Sequence, residues 1–197
     1  MYFRKKEAWR GLIYNLLYPA LLGSMLYDIF SPSTVRSWNY VGQIVLVCIY
    51  LVDYLYLYND WMGQGYPNRL QEIFWDGLVA ILYRLSFGFI ASRPTLASIC
   101  LGSVFCLYLF YEIAQHRVTR IFILASVFVM LLNILFNFFS DNNEQKTLFF
   151  VVAAFIEFLL LAFFVFYYAP KHITPQQPDA EPLSTGSVIF DESIKAP

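Results

Sequence analysis

Residues 147–168 read TLFFVVAAFIEFLLLAFFVFYY. These 22 residues carry one charge, Glu157, and neither glycine nor proline. The apolar side chains run continuously rather than alternating, so the period of two that marks a barrel strand is missing. A hydrocarbon core of about 30 Å takes about 20 helical residues to cross. The stretch therefore predicts a transmembrane helix. Five more stretches of that length and character precede it, giving expected spans at Gly11–Phe30, Tyr40–Tyr58, Glu72–Ser92, Thr95–Ile113, Arg120–Phe139 and Thr147–Tyr168. The expected fold is an all-α integral membrane protein: a bundle of about six transmembrane helices over residues 1–173, with a disordered cytoplasmic C-terminal tail over 174–197.

Composition agrees. Of 197 residues 59% are hydrophobic, 20% aromatic and only 14% charged, and the mean hydropathy is +0.55. Soluble domains run about 45–50% apolar and about 25% charged. These values argue against a soluble enzyme, and the net charge of −1 offers nothing for direct nucleic-acid binding. Cys48, Cys100 and Cys106 all lie inside apolar stretches, with no CxxC or metal spacing, and read as buried thiols.

The first span follows a basic head, Arg4, Lys5, Lys6 and Arg10. Its apolar part is longer than a signal peptide's, contains Pro19 and lacks a small-x-small cleavage site, so it reads as an uncleaved anchor. With the N-terminus inside, nine Lys and Arg fall on the inner side (Arg4, Lys5, Lys6, Arg10, Arg69, Arg117, Arg120, Lys171, Lys195) and three outside (Arg36, Arg93, Lys146). The positive-inside rule then places both termini in the cytoplasm of a plasma (inner) membrane protein. The alternative is that the third segment dips in without crossing. Arg93-Pro94 alone joins the third and fourth spans, which predicts a tight antiparallel pair with Pro94 starting a helix. The longest internal loop is expected at Asn59–Gln71.

Beyond Thr174 the chain has four prolines, a local charge of −3 and no helical period, a composition that stays unfolded. Within it, Val188, Ile189 and Phe190 form an apolar island able to add a strand to a partner or fill a groove.

Charges inside the spans are the candidates for function, because each costs about 2.5–3.5 kcal/mol on insertion scales. Arg84 and Glu157 lie at matching depths, roughly 18 and 16 Å from the inner end at 1.5 Å per residue, and are expected to pair across the third and sixth spans. Asp53 and Asp76 lie near the inner ends of the second and third spans. If they face one another they would share a proton or bind a cation; otherwise each reaches up to the interface. Together Asp53, Asp76, Arg84 and Glu157 are the candidate ion or proton pathway. Asp28 and Glu112, close to span ends, read as solvated or capping. Asn133 and Asn137 share one helix face, and Ser98, Gly102 and Cys106 form a small-residue stripe; both patterns join helices.

No catalytic motif is present, and no cofactor or metal is expected. The two histidines, His116 and His172, lie outside the spans, which argues against a bis-histidine haem. No P-loop or HExxH occurs. A lipid-modifying enzyme working through carboxylates is left open. Two functions remain. One is a membrane subunit that anchors or senses for a cytoplasmic protein partner, as in a defence or immunity complex. The other is a small oligomeric, cation- or proton-linked transporter or channel that uses the intramembrane carboxylates. The few polar residues, most with a structural explanation, tip the sequence reading toward the first.

Overall fold

The computed structural model describes residues 9, 11–31, 37–64, 70–112 and 117–168. Among these, 93% are helical and none is in a strand. Six helices follow one another: α1 (Gly11–Phe30), α2 (Trp38–Gln64), α3 (Leu70–Phe89), α4 (Pro94–Glu112), α5 (Arg117–Phe139) and α6 (Asn143–Phe163). Four of the six, α1, α2, α5 and α6, are long and apolar enough to cross a membrane. Of the other two, α3 carries Glu72, Asp76 and Arg84, and Pro94–Leu109 of α4 is a shorter apolar stretch. The acidic tail and its Val188–Phe190 island lie outside the described residues.

Local chemistry explains the helix ends. The first seven residues of α1, Gly11–Leu17, form π turns, and regular α-helix starts at Tyr18. Pro19 sits at that junction. It has no N–H to give the preceding turn and its ring crowds the carbonyl behind it, and a wider turn relieves both. At the other end of the bundle α3 closes with the Arg93 N–H on the Phe89 carbonyl at 2.7 Å, and Pro94 opens α4 as expected. Ser86 of α3 ties the pair by donating to the Ala97 carbonyl at 2.9 Å. The side chain of Asn142 caps α6 by accepting from the Glu144 N–H at 2.9 Å. The loop expected at Asn59–Gln71 is shorter than its sequence suggested. Helix α2 runs on through Gln64, and Leu70 already belongs to α3.

Taken in chain order the helices form a first group of three, α1–α3, and a second, α4–α6. The members of each group touch one another. The packing between the groups, of α2 on α6 and of α3 on α4, is among the most extensive in the bundle. Gly42 permits the first of these contacts, since a Cβ there would stand 3.1 Å from a Val151 methyl. Along the α1–α3 contact Gly77 does the same against Ile13 at 3.0 Å. The outward surface is greasy: Phe128, Leu131, Leu135, Phe136, Phe138 and Phe139 of α5 are all exposed.

Candidate functional site

The polar residues gather inside this bundle, and the largest side chains around them are tyrosines. Tyr14, Tyr18, Tyr50 and Tyr83 are fully buried. Tyr18 packs against Tyr50 and Tyr54 with ring centroids 5.3 and 5.4 Å away, and Tyr50 meets Tyr83 edge-on at 5.5 Å. A tyrosine suits such a place because its ring is apolar and its hydroxyl can answer a polar group. Each hydroxyl with a partner here bridges two helices. Tyr14 donates to the Asp76 carboxylate. Tyr18 donates to the Asp76 carbonyl at 3.1 Å, and Tyr50 to the Tyr18 carbonyl at 3.0 Å. Tyr54 donates to the Tyr14 carbonyl at 3.2 Å. That last bond follows from Pro19: in the π register the Tyr14 carbonyl would take its hydrogen bond from the residue that lacks an N–H. The Tyr54 hydroxyl gives that carbonyl a donor from α2.

Three carboxyl groups are sealed in this interior, with Asp53 2%, Asp76 3% and Glu157 0% exposed. Asp53 of α2 accepts from the Tyr108 hydroxyl of α4, at 2.9 Å from both oxygens, so this contact joins the two three-helix groups. Tyr18 stands within electrostatic reach of both Asp53 and Asp76. The two aspartates thus share one tyrosine-lined region, and the hydrogen bonds that hold them come from different phenols. Glu157 of α6 differs. The Ser126 hydroxyl lies beside it, yet neither Glu157 oxygen has a partner in hydrogen-bonding geometry. The Tyr83 hydroxyl is unpartnered too, and it lies within electrostatic reach of Asp53 and Glu157.

Arg84 does not pair with Glu157. Its Nη2 donates to Asp28 at 2.9 Å and its Nε to the Ser24 hydroxyl at 3.1 Å, with the guanidinium 5.4 Å from the Phe87 ring centre. Equal depth along the sequence did not make them neighbours. Helix α6 packs on α2, α4 and α5, while α3 turns the Arg84 face toward α1. Helix α3 also ends at Phe89 rather than Ser92, which puts Arg84 near that end of the bundle. Asp28, expected to be solvated or capping, is its partner.

Ser98, Asn133 and Asn137 come together. Both asparagine amides donate to the Ser98 hydroxyl, at 2.8 and 3.0 Å, and Asn137 also donates to the Asn133 side-chain amide oxygen at 3.3 Å. Gly102, one turn along, faces Met130: a Cβ there would lie 3.4 Å from the Met130 Cβ. The stripe on α4 thus packs on α5 of the same chain. Cys106 is half-buried, and all three cysteines are free thiols.

Among the described residues no group of three or more His, Cys, Asp or Glu is placed to hold a metal ion. A cavity of about 300 Å³, lined by Trp38, Asn39, Glu144 and Thr147, opens where α2 and α6 begin, at one end of the seam between the groups. The tyrosines are what sequence reading missed. Their signal was the four-residue spacing of Tyr14 with Tyr18 and of Tyr50 with Tyr54, which puts each pair on one helix face. No family model matches the chain, and no curated protein or solved structure is similar to it.

Proposed function

We propose that the chain is a six-span plasma-membrane protein that moves protons or small cations across the bilayer, with the seam between its two three-helix groups as the pathway. One observation carries this reading: three carboxyl groups lie sealed in the interior, at or beside that seam, where an ionisable group is costly to keep. The cavity at the end of the seam gives an approach from the outer side, and the excess of Lys and Arg in the other loops puts both termini in the cytoplasm.

Reconstitution of the full chain into liposomes, with ion and proton flux read under an imposed potential, tests the proposal. Flux that falls in Asp53→Asn and Asp76→Asn, with both variants still accumulating in the membrane, supports it. A wild-type chain that conducts neither protons nor cations refutes it.

The second reading is an anchoring or sensing subunit for a cytoplasmic partner. The acidic, proline-rich segment Thr174–Pro197 with its Val188-Ile189-Phe190 island favours it. Purification in mild detergent with and without this segment tests it: a stoichiometric partner lost on truncation supports the role, and an unchanged complex removes it.

A further inference from the structure

The walls of the 300 Å³ cavity at the end of the seam include Trp38 and Asn39 at the start of α2, Ala91 of the turn between α3 and α4, and Asn143, Glu144 and Thr147 at the start of α6. Both contacts between the three-helix groups end at this cavity. Its walls are mostly polar and its floor is apolar. One turn below Trp38 lies Gly42, one turn below Thr147 lies Val151, and next to Ala91 lies Ile90. These three close on one another. A Cβ on Gly42 would stand 3.1 Å from a Val151 methyl and 3.5 Å from an Ile90 methyl, and Val151 and Ile90 are buried. Asp53 lies eleven residues beyond Gly42, three turns deeper on the same face of α2 and about 16.5 Å away along the axis. The cavity is thus a blind vestibule above an apolar plug, in line with a sealed carboxyl group.

The lining suits a cation. Glu144 brings the charge, and no Lys or Arg shares the walls with it. Among the described residues Glu144 takes part in no ion pair. The N-terminus of α6 would by itself favour an anion. It is already answered by the Asn142 side chain on the Glu144 N–H at 2.9 Å and by Glu144 in its first turn. Thr147 gives its proton to the Asn143 carbonyl at 3.0 Å, so its oxygen is left to accept. Trp38 adds an indole, the best of the aromatic rings toward a cation. A metal ion wants about six or more oxygens converging on one point, whereas the lining holds a single carboxylate, and the volume is that of a small-molecule site. We infer that this cavity is the outer entry site of the pathway and that the cation it admits is a small organic ammonium ion, held between the Glu144 carboxylate and the Trp38 indole. The inference rests on the transport reading above and names the class of cation. The bound ion waits above the plug and advances toward Asp53 when α2 and α6 part at Gly42.

A phosphatidylcholine headgroup carries the same ammonium chemistry, so the test separates lipid from free ion. Binding of tritiated choline to the full chain is measured in maltoside micelles, with and without added phosphatidylcholine. Uptake of choline, sodium and protons is measured in phosphatidylglycerol vesicles, which hold no ammonium lipid. Wild type should bind choline saturably. Trp38→Leu should weaken binding about 2- to 30-fold, the range of a cation–π contact, and Glu144→Gln should weaken it severalfold. Both side chains are exposed, so neither change removes a packed residue. Asp141→Asn removes an exposed carboxylate three residues away that does not line the cavity, and should leave binding unchanged. In vesicles Glu144→Gln should raise the KM for choline and spare the maximal rate, whereas Asp53→Asn should lower the maximal rate. Binding that both cavity variants leave intact overturns the inference. A site that phosphatidylcholine fills and free choline does not is a lipid contact, which overturns it as well. Sodium or proton uptake without choline binding also overturns it and leaves the transport reading standing. Choline binding with no flux of any ion brings down the transport reading and this inference with it.

Discussion

The contact between Asp53 and Tyr108 offers the sharpest test of how the two halves are held. Tyr108→Phe removes a hydroxyl that lies 2.9 Å from each carboxylate oxygen. It has only one proton, so the two distances represent one hydrogen bond shared between two acceptors. Its loss strips a carboxylate that is 2% exposed of its donor. An orphaned buried acceptor costs about 1–3 kcal/mol, while interhelical bonds measured in a membrane average about 0.6 and reach about 1.7 kcal/mol. The expected cost of Tyr108→Phe is therefore about 1–2 kcal/mol. Removing both partners in Asp53→Leu/Tyr108→Phe should cost less than the sum of the single changes, because neither group is then left unpaired. The measurement is reversible unfolding in mixed detergent micelles, run as a double-mutant cycle. Additive single changes, or a Tyr108→Phe variant as stable as wild type, would show that the two halves are not joined by this bond.

Glycine contacts give a second pair of outcomes in the same assay. Gly42→Ala should destabilise by about 1–3 kcal/mol, because its Cβ would stand 3.1 Å from Val151. Gly23→Ala should be neutral or stabilising, since nothing lies within 4 Å and alanine is the better helix former. Ser98→Ala should cost more than Asn137→Ala, because Ser98 accepts from both asparagines. Asp28→Asn should lower accumulation in the membrane more than the double change Asp28→Asn/Arg84→Gln, which leaves no unpaired guanidinium.

Much of the architecture was legible in the chain. The continuous run at 147–168 and its five counterparts predict helices, and a helix stands on each, because a helix satisfies every backbone group inside its own segment. The Arg93-Pro94 junction predicted its tight turn for a similarly local reason. The site was legible only in part. Spacing alone put Asn133 and Asn137 on one face, since helix geometry fixes which residues share a side. It could not say that Ser98 would serve both.

Pairing between helices is where sequence reasoning failed and tertiary structure decided. Arg84 and Glu157 are matched in depth, but depth is one coordinate, and which helices are neighbours is set by packing around the whole bundle. Packing gave Arg84 to Asp28 and left Glu157 beside Ser126. The tyrosines that answer the carbonyls of α1 and the packing of α2 on α6 likewise arise only when helices meet. By itself the sequence determined that these segments are helical and that polar groups would be buried among them, because both follow from a residue's relation to its near neighbours in the chain. Which polar group meets which depends on contacts between residues far apart in the chain, and only the folded bundle brings them within a hydrogen bond's length.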